Sequence, residues 1–180
     1  TIASFIIEGQ LLNILKGSRM AREITNLKNH TIVCGYGKIG KEACERLAAA
    51  GEQFIVIDKD AEKIDEAIGH DYLAAIGDAA DDEILLKVGV ETAKSLISAI
   101  SDDSANVYLV LTARTLNENL QIIARGTDEI SQKKLRRVGA NRVVSPYEIG
   151  ARRMAAYVLK PEIVDFLEAF TPGGSYGLQL

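Results

Sequence analysis

A glycine-rich hexapeptide at residues 35–40, GYGKIG, limits what this chain can fold into more than any other feature. The apolar segment 31–34 before it is typical of a buried strand, and residues 41–50 after it carry apolar side chains at helical spacing. A second apolar segment, 54–57, ends in Asp58. Strand, glycine turn, helix, strand and acid follow one another as in a nucleotide-binding βαβ unit, so the sequence predicts a nucleotide site.

Each glycine of the hexapeptide has its own predicted role. Gly35 permits the tight turn, Gly37 lets a pyrophosphate approach the backbone, and Gly40 lets the helix pack closely on the strand. The free amides at the start of the helix are expected to face phosphates, and the Lys38 ammonium group is placed to pair with phosphate oxygens. The alternatives are a glycine turn kept only for packing and a lysine that is merely solvated.

Further candidate residues follow the later strands at the same predicted edge of the sheet. Asp58 lies 18 residues after Gly40, where an acid accepts hydrogen bonds from an adenosine ribose and disfavours a 2′-phosphate. Asp78 follows the third strand and is expected to contact the base or to cap the next helix. Ser101, after the fourth strand, is expected either to contact the rest of the ligand or to lie at the start of a helix. Arg125 ends the fifth strand, within reach of a phosphate or a salt-bridge partner.

The rest of the chain alternates between strand and helix patterns. Strand candidates are 31–35, 54–58, 72–76, 95–100, 120–125 and 141–145. Helix candidates are 38–50, 60–69, 80–87, 103–116, 128–137 and 147–170, the last divided by Pro161 into 147–159 and 162–170. This alternation predicts an α/β fold: a Rossmann-like, doubly wound six-stranded parallel sheet with C-terminal crossover helices and the strand order 3-2-1-4-5-6.

The composition argues against several classes of protein. A net charge of −4 gives no general nucleic-acid footprint. The two cysteines, Cys34 and Cys44, lack the spacing of a zinc site and predict buried free thiols in a reducing cytosol. His30 and His70 are far apart in sequence and are expected at the surface, and the acidic run at 78–83 resembles no metal loop. No metal site is therefore predicted.

The two ends of the chain differ from the alternating part. Residues 1–29 begin with an apolar stub followed by basic side chains, as at the cytoplasmic end of a transmembrane helix and equally in an amphipathic docking helix. The helices at 147–171 present apolar faces after the six strands are complete, so they need a partner, either the domain itself or a second copy. Because the chain starts at Thr1 and ends in the mixed tail 172–180, we expect it to be part of a longer protein.

The sequence offers little for catalysis. The Rossmann-like domain takes up residues 30–146, and only two short helices follow it. A dehydrogenase of this type needs a substrate domain and an acid–base group near the nicotinamide. We therefore predict no catalytic residue and a binding protein rather than an enzyme, with a fragment of a NAD-dependent oxidoreductase as the alternative.

Six short segments form a set that points to one family: 30–40, 57–58, 76–79, 85–90, 122–125 and 139–146. Together they resemble the RCK domains, the regulators of potassium conductance, also called TrkA-N or KTN domains, and the resemblance covers residues 30–170. Residues 1–29 resemble the end of a channel's inner helix and its linker. This favours a prokaryotic ligand-gated potassium channel over the alternative, a regulatory subunit of a Trk- or Ktr-type transporter. Residues 172–180 would then begin a missing C-terminal lobe or form a tail.

The resemblance implies a cytoplasmic ligand sensor at the inner face of the cell membrane. Such sensors form homodimers through their last helices, assemble into a gating ring and act on a potassium-channel pore in the same chain. The implied ligands are NAD(H) or an adenine nucleotide (ADP, ATP or AMP), with a divalent cation that has no assigned site. The implied nucleotide-binding residues are Gly35, Gly37, Lys38, Ile39, Gly40, Asp58, Lys59, Asp78, Ala79, Ser101 and Arg125. Some calcium-gated members carry two glutamates where this chain has residues 125–128, so that calcium site is not expected.

Overall fold

The computed structural model describes residues 20–164, in which six parallel strands form one sheet. The strands are β1 (Thr31–Cys34), β2 (Phe54–Asp58), β3 (Leu73–Ile76), β4 (Ser95–Ser98), β5 (Gln121–Arg125) and β6 (Arg142–Val144). The helices are α1 (Lys38–Ala49), α2 (Ala61–Gly69), α3 (Asp82–Lys87), α4 (Asp103–Leu116), α5 (Glu129–Arg137) and α6 (Pro146–Leu159). A 3₁₀ turn covers Val90–Thr92, and residues 20–25 are also helical.

The strands lie side by side in the order β3-β2-β1-β4-β5-β6, and every neighbouring pair is parallel. β1 is central, because Thr31 is in register with Phe54 of β2 on one side and with Ser95 of β4 on the other. The predicted fold class and strand order are confirmed. The predicted bounds of the strands and of the first five helices differ from the observed ones by at most two residues.

The core is built on both faces of the sheet. β1 is buried along its whole length, with Ile32 packed in one apolar cluster and Val33 in the other. This is the pattern expected for a parallel sheet that helices cover on both sides. Cys34 and Cys44 are free and buried, as predicted, and burial raises the pKa of both thiols, that of Cys44 to about 12. They are therefore neutral packing groups.

His30 corrects the sequence analysis, because it is fully buried and not at the surface. Its Nε2 atom donates a hydrogen bond to the carbonyl oxygen of Val88 at 2.9 Å, and Nδ1 has no hydrogen-bond partner among residues 20–164. Burial lowers the His30 pKa, so the ring is neutral at neutral pH. Ile24 and Leu27 are buried in the core cluster beside it, whereas residues 1–19 of the predicted linker lie outside the described part of the chain.

The chain after β6 forms a second compact unit. α6 ends at Leu159, and helical structure resumes at 161–164, which confirms the predicted break at Pro161. Part of the predicted helix 162–170 lies outside the described residues. Several apolar side chains of this unit are exposed: Tyr147, Ile149, Met154, Tyr157, Val158, Leu159 and Ile163. Within residues 20–164 no helix is long and apolar enough to cross a membrane.

Candidate functional site

Two glycines of the turn after β1 are required by the backbone itself. Gly35 has a positive φ of +97°, and a Cβ atom on it would lie 3.1 Å from the Ala99 carbonyl carbon. A Cβ atom on Gly40 would lie 1.8 Å from the Gly35 carbonyl oxygen. These positions bring α1, β1 and the end of β4 into backbone contact, which is the close packing that the sequence predicted for Gly40.

Gly37 differs from its two neighbours, because neither its conformation nor its packing requires glycine. Its backbone is extended, with φ −86° and ψ −166°, and apart from its two chain neighbours no heavy atom of the described residues lies within 4 Å of the position that a Cβ atom would occupy. Gly37 is also the N-cap of α1, and no side chain among residues 20–164 caps this helix end. The first amides of α1 therefore face an open space that a side chain at position 37 would enter.

The cation beside this space has few constraints. Lys38 is exposed and makes no ion pair with another described residue, so its ammonium group is available to an anion at the turn. Ile39 is half-buried, and the side chain of Tyr36 is buried in the core. The turn therefore offers backbone amides and one lysine to a ligand, which is a combination that suits phosphate.

Asp58 sits at the carboxyl end of β2 and holds the glycine turn in place. Its Oδ2 atom accepts a hydrogen bond from the Tyr36 amide at 2.7 Å, and Oδ1 accepts one from the Asp60 amide at 3.0 Å. The Lys63 ammonium group lies 3.7 Å from Oδ2. An ionised carboxylate has about four lone-pair sites, so two backbone bonds leave capacity for ribose hydroxyls. The bond to the turn is a role that sequence reasoning missed.

Lys59 and Asp78 join the ends of β2 and β3. The Lys59 ammonium group lies 2.9 Å from Asp78 Oδ2, and Asp78 Oδ1 accepts a hydrogen bond from the Ala80 amide at 3.0 Å. The amide bond first and the lysine second lower the pKa of Asp78, which is therefore ionised. The alternative that Asp78 caps α3 is wrong, because Asp81 is the N-cap. Ala79 is buried, so only its backbone could meet a ligand.

On the other side of β1, the ends of β4 and β5 bring Ser101 and Arg125 to the same edge. Ser101 is exposed and comes directly before Asp102, whose side chain caps α4 by accepting a hydrogen bond from the Ala105 amide at 2.7 Å. Nη1 of Arg125 donates a hydrogen bond to the carbonyl oxygen of Ile100 at 3.4 Å. The parallel strand order thus places every predicted site residue at the carboxyl edge, on both sides of the point where the order reverses.

Sequence reasoning missed Asn106, a fully buried residue of α4 whose side chain contacts the ends of β4 and β5. The sequence carried one signal for this residue: Asn106 is polar, whereas its neighbours at helical spacing are the apolar, buried residues Leu109, Val110 and Ala113. Its side chain also connects Ile100, the residue before Ser101, to Arg125 at the end of β5.

No cluster of three or more His, Cys, Asp or Glu side chains suited to a metal ion occurs within residues 20–164.

The fold and this edge together define a Rossmann-type domain with an open, uncapped glycine turn. The chain belongs to the TrkA-N domain family, which it matches over residues 31–146. Two potassium channel proteins of Methanocaldococcus jannaschii are similar to nearly the whole chain. Potassium channel protein 1 is 38% identical over 93% of the chain, and probable potassium channel protein 2 is 41% identical over 94% of it. The chain spans 51% and 50% of the lengths of these relatives.

Three solved structures have a similar fold. The TrkA-N domain of the Escherichia coli inner membrane protein ybaL is 31% identical, with a TM-score of 0.71, and the match covers 75% of this chain and 99% of that one. The GsuK RCK domain is 29% identical, with a TM-score of 0.64 over 79% of this chain and 30% of that one. The GsuK channel bound to NAD is 26% identical, with a TM-score of 0.61 over 72% of this chain and 23% of that one.

Proposed function

We propose that this chain is a nucleotide-sensing regulatory domain that gates a potassium channel and has no catalytic activity of its own. The observation that carries the proposal is Gly37, a glycine that the protein's own packing does not need, at an uncapped helix start. A bound nucleotide explains why a side chain is excluded there. The similarity to the GsuK channel bound to NAD and to two archaeal potassium channel proteins supports both the ligand class and the target.

The residues at the carboxyl edge would each contact a different part of the nucleotide. The α1 amides and Lys38 would hold the phosphates, and Asp58 would accept hydrogen bonds from the adenosine ribose, which favours NAD and adenine nucleotides over NADP. Asp78 lies on the adenine side, and Arg125 lies on the side of the second nucleotide half. In a sensor the nucleotide acts by binding one conformation of the protein more tightly than the other, and no bond of the nucleotide needs to break.

Calorimetry on the 180-residue chain with NAD, ADP and AMP tests the site. Gly37→Glu places a side chain and a negative charge in the open space, so we expect affinity to fall at least about 100-fold, or roughly 2.7 kcal/mol. Gly69→Glu is the matched control, because Gly69 lies at the C-terminal end of α2 and, apart from its chain neighbours and the backbone of its own helix, no described atom lies within 4 Å of its Cβ position. Equal affinities in the two variants would refute a nucleotide site at the turn.

Current measurements on the full-length protein in a bilayer test the gating. We expect nucleotide on the cytoplasmic side to shift the open–closed balance about 5- to 150-fold, the usual range of coupling energies. Gly37→Glu should abolish this response without preventing assembly, and Gly69→Glu should preserve it. A full response in the Gly37→Glu channel would place the gating ligand elsewhere. Nucleotide-dependent potassium uptake without a pore in the same chain would indicate a transporter subunit, and hydride transfer to small substrates would indicate an oxidoreductase.

We also propose that the helices at 147–171 form a homodimer interface within a gating ring at the inner face of the membrane. Met154, Val158 and Leu159 are 72%, 83% and 76% exposed, and burying large apolar side chains of this kind drives association. Light scattering on the chain should give the mass of a dimer, and Val158→Asp should shift it towards the monomer. The matched control is Arg152→Asp, another exposed α6 position that buries no apolar side chain. A monomeric wild-type chain would contradict this interface.

A further inference from the structure

The Asn106 side chain of α4 makes three hydrogen bonds to groups at the carboxyl edge of the sheet. Its Oδ1 atom accepts a hydrogen bond from the Ser98 hydroxyl of β4. Its Nδ2 atom donates to the carbonyl oxygen of Ile100 at 2.8 Å and to that of Arg125 at 3.2 Å. One buried amide therefore bonds three groups from two different strand ends.

The two carbonyl groups belong to the segment after β4 and to the last residue of β5. The Ile100 amide nitrogen lies 3.1 Å from the position that a Cβ atom on Gly35 would occupy, so this loop is in backbone contact with the turn. Nη1 of Arg125 also donates to the Ile100 carbonyl oxygen, at 3.4 Å. Asn106 thus bonds the residue after β4 that contacts the turn and the last residue of β5, whose side chain bonds the same Ile100 carbonyl oxygen.

A second contact joins the same two loops. Oδ2 of Asp103, the first residue of α4, accepts hydrogen bonds from the amide of Thr127, at 3.0 Å, and from its hydroxyl group. Burial alone would raise the pKa of Asp103, but the bonds from Thr127 and the nearby charge of Arg125 lower it, so the carboxylate is ionised. The ends of β4 and β5 are therefore joined by several partly buried side-chain hydrogen bonds within the protein itself.

We propose that Asn106 is a positioning residue that makes the site selective for dinucleotides over mononucleotides. This inference rests on the proposed nucleotide site. A dinucleotide crosses the sheet where the strand order reverses, here between β1 and β4, so its adenosine half lies on the Asp58 side and its second half on the β4–β5 side. AMP has no group on that second side. The strand ends that Asn106 joins therefore contribute to the binding of NAD and contribute little to that of AMP.

Three variants of the full 180-residue chain, each titrated with NAD and with AMP, test this role. Asn106→Asp keeps the size of the side chain and the acceptor for Ser98, but it places an oxygen against two carbonyl oxygens. We expect NAD affinity to fall about tenfold and AMP affinity to change less than about twofold, where tenfold corresponds to 1.4 kcal/mol. Ser98→Ala is the control, because it removes only the third bond of Asn106, and both affinities should stay within about twofold.

Thr127→Val covers the case in which Asn106→Asp does not fold. It deletes only the hydroxyl bond to Asp103 at a half-buried position, and we expect a smaller loss, about threefold for NAD and none for AMP. Equal losses for NAD and AMP would overturn the inference, since Asn106 would then support the turn as a whole. So would a wild-type chain that binds AMP and not NAD. A wild-type chain that binds neither nucleotide would refute the proposed function as well, which separates the two failures.

Discussion

The start of α1 and the starts of α2 to α5 lie at the same edge of the sheet, yet they are built differently. The four later helices each begin with an aspartate whose side chain accepts a backbone hydrogen bond: Asp60, Asp81, Asp102 and Asp128. α1 begins with Gly37 and has no side-chain cap within the described residues. The four later helices therefore have a carboxylate of their own at the N-terminus, whereas the partial positive charge at the start of α1 is left for an anion from outside the chain.

The largest expected effect separates the two kinds of glycine in the turn. Gly40→Ala places a Cβ atom 1.8 Å from the Gly35 carbonyl oxygen. Because that oxygen belongs to the backbone of the turn, the overlap can be relieved only by moving α1 away from the turn. We expect a loss of more than about 4 kcal/mol in the free energy of unfolding, or no folded protein. Gly37→Ala is the control and should lose less than about 1 kcal/mol. Denaturant titrations of both variants measure the difference, and similar losses would show that Gly37 also serves packing.

The difference between α1 and the later helices can be tested by giving α1 a side-chain cap of its own. Gly37→Ser provides a hydroxyl group that accepts from the amides of the first turn, so the chain should become a few tenths of a kcal/mol more stable. The same hydroxyl group occupies the space and the amides that a phosphate would use, so NAD affinity should fall about tenfold. Thermal unfolding and calorimetry on one preparation measure both. A variant that is more stable and binds as tightly as the wild type would remove ligand binding as the reason for the glycine.

Removing a cap from a later helix should have the opposite profile. Asp128→Ala deletes the bond to the Ser131 amide at the start of α5, and we expect a loss of about 1 kcal/mol in the free energy of unfolding. NAD affinity should stay within about twofold, because the Asp128 side chain bonds the Ser131 amide of its own helix and its loss leaves the bonds between Thr127 and Asp103 in place. Asp128→Asn, which keeps the acceptor oxygen, should recover most of the stability. A loss of affinity larger than the loss of stability would assign α5 to the site.

A dependence on pH is expected at the opposite end of β1, where His30 is buried in the core. Burial lowers the His30 pKa below its ordinary value of 6.5, so protonation favours the unfolded chain. The stability is complete above pH 6.5 and falls as the pH drops towards the lowered pKa, by at most about 1.4 kcal/mol per pH unit for one proton. His30→Gln should flatten the unfolding profile between pH 7 and pH 5. An unchanged profile would show that other groups cause the acid sensitivity.

The sequence predicted what depends on local pattern. The apolar segments, the glycine turn and Pro161 determine the strands, the tight turn and the helix break, because each acts through its own backbone or through burial on both faces of the sheet. The strand order followed from the fold class, for which 3-2-1-4-5-6 is the usual arrangement. His30 was misplaced because its partner, Val88, is 58 residues away in sequence. Asp78 and Asp81 are equally good capping residues by type, and only the backbone conformation decides that Asp81 caps α3. Asn106 was missed because its three bonds exist only after β4 and β5 are aligned.

The central position of β1 has a consequence for the order in which the chain can mature. Both neighbours of this strand come later in the sequence: β2 begins at Phe54, and β4 does not begin until Ser95. A ribosome adding about 5–20 residues per second makes β4 roughly 3–12 s after β1, and during that time one edge of β1 has no strand to pair with. Nascent chains of this protein therefore display an apolar parallel-strand edge for seconds, which makes this interval a point of vulnerability to aggregation and a natural one for chaperone binding.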